Sequence, residues 1–284
     1  MERRDFLKIS GSSALGLALM PSLISSCAGA AQKSYGLGIY TVRDALEKDF
    51  KGTLKKLSEM GFTDLEFWNY NEGNIFGIPA IEVKKMMDDL GLKSTSLHAG
   101  ITPLTNDFDR LLETASILNE KYLVCNYLVE SERTSLDDYK AHSDLLNMCG
   151  EKAKSAGITM GYHNHDFEFF DFDGQKPYDV LLDRCDKNLV RFEMDMYWMT
   201  ASNQDPIAYF EKHPGRFPLW HVKDMNSEKQ FTPVGEGIID WKRIFAKADL
   251  AGLEQYFVEQ DQSPSGDIFG DITKSLGYIK EKGF

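Results

Sequence analysis

Four side chains could do chemistry together: His163, Asp195, His221 and Glu259. They fall in the segments Tyr162-His163-Asn164-His165, Glu193-Met194-Asp195, His221-Val222-Lys223-Asp224 and Val258-Glu259-Gln260-Asp261. Each lies at the end of a short β-rich run, one strand-plus-helix unit from the next. If those runs are neighbouring parallel strands, the four side chains meet around one point. Two imidazoles and two carboxylates form a mixed nitrogen–oxygen donor set. That set suits Mn²⁺, Zn²⁺, Co²⁺ or Fe²⁺ better than Ca²⁺ or an ion that prefers thiolates. A catalytic ion also needs an open position for water or substrate. Any one of the four, taken alone, reads more simply as a strand-end cap. Their recurrence at one relative place in four successive units is what favours a metal.

Other polar and aromatic residues share those strand ends. Glu66, in Leu65-Glu66-Phe67-Trp68, and His98 are candidates for acid–base work or, alternatively, satisfied structural groups. Trp68, Tyr197 and Trp198 are candidate walls of a sugar-stacking pocket, with core packing as the other reading. Lys223 either donates to a substrate oxygen or pairs with its neighbour Asp224.

The elements that must position these residues repeat from Tyr35 onward. Strands are predicted near Tyr35–Tyr40, Asp64–Trp68, Ser94–His98, Tyr122–Tyr127, Thr159–His163, Val190–Asp195, Leu219–Val222 and Tyr256–Glu259. Helical spacing fills the intervals: Asp44–Met60 stopped by Gly61, a helix from Pro79 stopped by Gly91, then Phe108–Asn119, Leu136–Ala156, Tyr178–Cys185, Asp205–Lys212, Trp241–Ala248 and Ile268–Lys282. Strands alternating with helices imply parallel pairing through right-handed crossovers. Eight such units favour closure, so the expected fold is α/β, a (β/α)₈ TIM barrel over residues 35–284 with its chemistry at the C-terminal strand ends. No glycine-rich phosphate loop follows the first strand, which argues against a dinucleotide-binding sheet.

Bulk properties narrow the partners. The 284-residue chain has a net charge of -12, so nucleic acid and anionic lipid are unfavourable partners. Cys27, Cys125, Cys149 and Cys185 show no CxxC spacing, and the last three read as small buried apolar residues. The first 27 residues read as an export signal: Arg3-Arg4 lead into a short apolar run from Ala14 to Ile24, too short to span a bilayer stably. Arg3-Arg4-Asp5-Phe6-Leu7-Lys8 resembles a twin-arginine signal, and Ile24-Ser25-Ser26-Cys27 resembles a lipobox. Residues 28–34 are then a linker. The expected location is outside the cytoplasm, periplasmic or anchored to a membrane through a lipidated Cys27. The oligomeric state is not legible.

The chain resembles the sugar phosphate isomerase/epimerase family with a xylose isomerase-like barrel, also described as the second AP-endonuclease family. The resemblance rests on Tyr40-Thr41-Val42-Arg43-Asp44, Gly61-Phe62 leading to Glu66, His163-Asn164-His165, Asp195, His221-Val222-Lys223-Asp224, Val234-Gly235-Glu236-Gly237 with Asp240-Trp241, and Val258-Glu259. It implies one divalent ion, Mn²⁺ first, with Asp195, His221 and Glu259 as ligands. His163 stands where the family pattern has a glutamate. Tyr40 and Glu236, on two of the shared motifs, join Trp68, Tyr197, Trp198 and Lys223 as candidate substrate contacts.

The reaction this resemblance implies is proton abstraction beside a carbonyl on a sugar or keto sugar, of the isomerase/epimerase type. Glu259, or one of His163 and His165, takes the proton. The Tyr162–His165 run and the segment after Val258 are more similar to inosose dehydratases and keto-sugar lyases. The alternative is therefore β-elimination from a keto-inositol or 3-keto-glycoside, with His165 and Glu168 protonating the departing oxygen; Glu66 or His98 would replace the missing proton shuttle if isomerisation is kept. A rival from another class is a non-catalytic sugar-binding lipoprotein. The DNA-repair members of the superfamily need several zinc ions and a basic face, which this acidic chain lacks.

Overall fold

Eight parallel strands close into a barrel in the computed structural model, which describes residues 33–172 and 174–284. The export segment, Cys27 and most of the linker lie outside the described residues. The barrel strands are β1 (Gly36–Gly38), β2 (Asp64–Phe67), β3 (Lys93–Ala99), β4 (Tyr122–Cys125), β5 (Thr159–His163), β6 (Val190–Asp195), β7 (Leu219–Val222) and β8 (Gln255–Val258). Each pairs with its chain neighbours, and β1 pairs with β8 to complete the ring. This is the (β/α)₈ architecture expected from the alternation of elements.

The strand faces explain where the polar residues go. Side chains two apart on a strand share a face. Tyr122, Val124, Leu219 and Phe257 form a small buried cluster separate from the main core. On β7 and β8 these residues stand two positions before His221 and Glu259. Apolar side chains thus lie one layer beneath His221 and Glu259. The larger core, with Trp220, Phe210 and Phe217 among its members, packs the helices on the barrel's outer face.

The helix from Asp44 to Met60 is in fact two, Arg43–Lys48 and Phe50–Met60. Asp49 makes the break: its carboxylate accepts the Gly52 amide at 2.9 Å and caps the second helix. Between β2 and the next helix, Ala80–Asp89, the chain inserts a three-stranded antiparallel excursion across residues 70–79 that periodicity did not reveal. Cys125, Cys149 and Cys185 are buried free thiols, as read from their spacing. Among the described residues no helix is long and apolar enough to cross a membrane.

The β1–β8 seam depends on two glycines. A Cβ on Gly36 would lie 2.1 Å from the Tyr256 carbonyl oxygen, and one on Gly38 would lie 3.0 Å from Glu259 Oε1. Backbone cannot yield at Gly36 as a flexible side chain could. Gly36→Ala is expected to destabilise the barrel by about 1–3 kcal/mol through overpacking. Urea unfolding checks this: the midpoint should fall with the slope unchanged.

Candidate metal centre and its cavity

The barrel register brings the four strand-end residues together. His221 pairs with Asp195 across β6–β7, and Val222 pairs with Val258, immediately before Glu259. His163 Nε2 lies 3.4 Å from Asp195 Oδ2. His221 Nδ1 lies 3.6 Å from the same oxygen and 2.9 Å from Glu259 Oε2. All four residues are buried. The ligand atoms of His163, Asp195 and His221 fall within 4.8 Å of one another.

The imidazole nitrogens show which way each ring serves. His163 Nδ1 is 3.2 Å from the Asn126 carbonyl, and His221 Nε2 is 2.5 Å from Glu66 Oε2. The opposite nitrogens, His163 Nε2 and His221 Nδ1, are buried and face the group's own carboxylates, Asp195 and Glu259. A metal-binding histidine commonly donates its second N–H to a carbonyl or carboxylate, which fixes the tautomer and aims the free nitrogen. Both rings have that arrangement. The donor set therefore fits a divalent cation held by His163, Asp195, His221 and Glu259.

A second tier lies deeper, on the other side of the His221 ring. His98 Nε2 is 2.6 Å from Glu193 Oε2 and 3.1 Å from Glu66 Oε1. Glu193 Oε1 is 3.5 Å from His221 Nε2. Glu66, His98, Glu193 and His221 thus form a second buried group whose ligand atoms also lie within 4.8 Å of one another. Glu66 and His98 belong to this tier. His98 also reaches the cavity floor.

Electrostatics divide the tiers. Burial raises the Asp195 and Glu259 carboxyls, but opposing charges win: Lys223 dominates for Asp195, and His221 with Lys223 for Glu259. Both stay ionised far below the ordinary carboxylate range. Burial, reinforced by the His221 charge, lowers His163; burial with the His163 and Lys223 charges lowers His165 still further. Both rings are neutral at pH 7, the form a metal ligand or proton acceptor requires. In the deeper tier burial opposes the charge on His98, yet Glu66 and Glu193 bring it up to about 10. Burial and the Glu66 charge push Glu193 up to about 7.

Above the four residues opens a cavity of about 440 Å³. His163, His221 and Glu259 meet it below, Tyr40, Trp68, Tyr127 and His165 stand on its walls, and Asn126, Lys223 and Asp261 add polar groups. Tyr40 and Trp68 meet edge to face with centroids 5.0 Å apart, a stiff aromatic corner at the rim. Concave sites of this size with a few convergent polar groups are typical of small-molecule pockets.

Several residues singled out from sequence sit elsewhere. Lys223 does not pair with Asp224. Its ammonium lies 3.1 Å from Asp195 Oδ2, 2.8 Å from Glu259 Oε2 and 2.9 Å from Asp261 Oδ1. Asp224 instead accepts from Trp241 Nε1 at 2.8 Å and from the Gly235 amide at 2.9 Å. That explains the glycine-rich Val234–Gly237 motif: a Cβ on Gly237 would lie 2.1 Å from Asp224 Oδ1. Glu236 pairs with Lys274 at 3.2 Å on the surface and does not line the cavity. Glu168 is fully buried, accepting from Tyr162 Oη at 2.7 Å and from the His165 amide at 2.9 Å. It anchors the His165 turn and does not face the cavity. Tyr197 and Trp198 border a neighbouring cavity instead, and the Tyr197 hydroxyl is spent on the Lys229 carbonyl at 2.8 Å. Sequence reasoning did not single out Glu193, Asn126, Tyr127 or Asp261. For Glu193 the available signal was the two-residue offset from Asp195, which puts it on the same face of β6, whereas Asp261 lies in the loop beyond the end of β8 and has no such signal.

Burial pushes the Glu168 carboxyl up to about 8 despite those two donors. Its folded pKa lies above the ordinary 4.5, so the stability carried by its neutral form is complete below about pH 4.5 and is lost as pH rises through about 8. Glu168→Gln is expected to flatten that decline between pH 5 and 8, even though it loses the bond from His165 N. Thermal midpoints of both proteins across that range test it; parallel curves would refute the raised pKa.

A family profile, that of the xylose isomerase-like TIM barrel, matches residues 54–280. An inosose dehydratase from Clostridium perfringens is 29% identical over 166 residues, 51% of this chain and 55% of that protein. The chain thus spans about half the length of that curated relative. A solved sugar phosphate isomerase/epimerase from Parabacteroides distasonis superposes with a TM-score of 0.77 at 30% identity, covering 88% of this chain and 98% of that one. The solved IolI protein with a bound zinc atom superposes with a TM-score of 0.69 at 15% identity, over 89% of this chain and 99% of that one, a likeness of fold.

Proposed function

The chain belongs to the xylose isomerase-like TIM barrel family, and on that premise we propose that it is a divalent-metal-dependent enzyme that removes a proton beside the carbonyl of a sugar or keto sugar. The observation that carries this reading is the convergence of two buried imidazole nitrogens, His163 Nε2 and His221 Nδ1, with the Asp195 and Glu259 carboxylates beneath an open cavity. A divalent ion there, with Mn²⁺ the first candidate, supplies Lewis acidity toward a ketone oxygen and a neighbouring hydroxyl.

The chain's own groups do the rest. Glu259 remains ionised and faces the cavity, so it accepts the α-proton. His165, neutral and lining the same cavity, is the second proton-handling group. Tyr40 and Trp68 orient the sugar ring, and Lys223 keeps Glu259 charged. The identity of the curated relatives supports β-elimination as the second reading, in which the proton that Glu259 takes from the α-carbon passes to the departing oxygen and the neutral His165 ring hydrogen-bonds that oxygen. Glu168 has no part in that step, because it does not reach the cavity.

Solvent deuterium incorporation into a panel of keto sugars, with Mn²⁺ added, tests the proposal. Exchange that stops on chelation and returns with Mn²⁺ or Co²⁺ is the expected result; no exchange with any of the panel would reject it. Product mass separates the readings, since isomerisation conserves mass and elimination loses water or an aglycone.

We also propose export and lipid anchoring, supported by Arg3-Arg4 and the Ile24–Cys27 run. Cys27→Ser should then release the protein from the membrane fraction, and an unprocessed cytoplasmic protein would refute the assignment.

A further inference from the structure

The cavity over the proposed centre has two unlike walls. Lys223, Glu259 and Asp261 form a charged wall just past the ends of β7 and β8. Asn126 and Tyr127, which follow β4, and His165, which follows β5, add a wall of amide and rings. Tyr127 and His165 meet there edge to face, with ring centroids 4.9 Å apart. β4 and β8 lie four strands apart in the closed ring of eight. Asn126 and Glu259, each the first residue past its strand, therefore meet the cavity from opposite sides of the ring.

Asn126 has a polar group to spare. The charged side chains around it are spent on one another: Asp195, Glu259 and Asp261 hold Lys223, His221 and Lys223 hold Glu259, and Glu66 and Glu193 hold His98. The Asn126 main chain is spent as well. Its N–H donates to the Ala99 carbonyl at 3.3 Å, and its carbonyl lies 3.2 Å from His163 Nδ1. Its carboxamide, by contrast, makes no hydrogen bond among the described residues, and the side chain is half-buried on the cavity wall rather than sealed away. A carboxamide offers an acceptor oxygen and two N–H donors in one plane. That suits a sugar hydroxyl, which both donates and accepts.

We propose that Asn126 binds a hydroxyl of the substrate on the side away from Glu259 and so selects the configuration of the carbon that bears it. The inference rests on the keto-sugar reading of the cavity and adds the group that tells one epimer from another. An epimer whose hydroxyl points elsewhere leaves the carboxamide unpaired and binds more weakly. The main chain of Asn126 meanwhile orients His163, so one residue ties the placement of the sugar to that of the ion. Removing the side chain leaves both main-chain bonds in place.

Binding tests it without requiring turnover. Calorimetry on the intact, Zn²⁺-loaded protein would compare D-fructose, its C3, C4 and C5 epimers, and 2-keto-myo-inositol. The tightest and weakest of these should differ by about 10-fold or more. Asn126→Ala should bind Zn²⁺ as the wild type does, because the carbonyl that meets His163 is retained. It should weaken the tightest sugar about 2- to 10-fold by losing a hydrogen bond, and narrow the spread of affinities by the same factor. Equal affinities across the wild-type panel, no binding of any sugar in it, or a spread unchanged in Asn126→Ala would overturn the proposal. A uniform loss of affinity for every sugar would overturn it too, since Asn126 would then shape the cavity without reading a hydroxyl. The two readings fail separately. Solvent exchange on a keto sugar with the spread unchanged in Asn126→Ala removes the role of Asn126 and keeps the chemistry. An Asn126-dependent spread without exchange on any keto sugar keeps the role of Asn126 and removes the chemistry.

Discussion

Asp195→Asn should leave a folded barrel that no longer holds one metal ion per chain and exchanges substrate protons about 10³-fold more slowly. The size follows from the role: Lewis-acid stabilisation is worth several kcal/mol, and each 1.36 kcal/mol is a factor of ten. The substitution is nearly isosteric. Asp195 Oδ1 accepts the Trp198 amide at 3.0 Å and caps the helix that follows β6, and an asparagine oxygen can keep that bond. What is lost is the charge on Oδ2, which faces His163, His221 and Lys223. His221→Ala should lose the ion as well, by removing Nδ1, but should also disturb the deeper tier, because Glu66 loses its partner at 2.5 Å. Elemental analysis and circular dichroism on both variants decide the matter. Stoichiometric metal in both, with native spectra, would reject this ligand set.

How much of this was legible beforehand depends on how local each signal is. His163, Asp195, His221 and Glu259 could be read because each closes its own β-rich run, and strand order alone brings them together. Glu193 belongs to the same face of β6 as Asp195 but one layer down, where a charged residue inside an apolar run gives no sign of what it meets. What it meets is His98, 95 residues away in the chain, and the Glu66–His221 contact joins residues 155 apart. Such contacts are fixed only by closing the barrel, including the register shift between Leu65 and Glu66 on β2. Glu168 and Glu236 went astray because loop residues have no periodicity to say where they point. The excursion at 70–79 was hidden for a related reason: its strands are two residues long, and its turns place Glu72 and Phe76 in the left-handed region with φ of 46° and 51°, where neither residue type signals a turn.

Glu259→Gln should lower proton exchange by about 10²–10⁴-fold, the usual contribution of a positioned general base. An amide cannot accept the α-proton, but its oxygen can still take the Lys223 donor at 2.8 Å, so the fold should hold. Glu259 is both ligand and base in this reading. The rate must therefore be taken at saturating Mn²⁺ and expressed per bound ion, so that weakened binding is not mistaken for lost base. Lys223→Met isolates the base function from the opposite side. In the wild type burial drives the Glu259 carboxyl up, and the His221 and Lys223 charges more than offset it, holding its pKa well below the usual range. The exchange rate should therefore show no loss of base as pH falls to about 5, since Glu259 stays ionised there. Without the ammonium, burial is less opposed, the pKa rises, and the acid limb of the rate profile should move to higher pH. The same sign governs stability: a depressed carboxyl pKa contributes above its ordinary 4.5 and is lost as pH falls toward the folded value. Lys223→Met should therefore also shrink the share of stability that acid removes. A Glu259→Gln protein that exchanges protons within a few-fold of wild type per bound ion would transfer the base role to His165. An acid limb that stays in place in Lys223→Met would show that the ammonium does not set the protonation of Glu259.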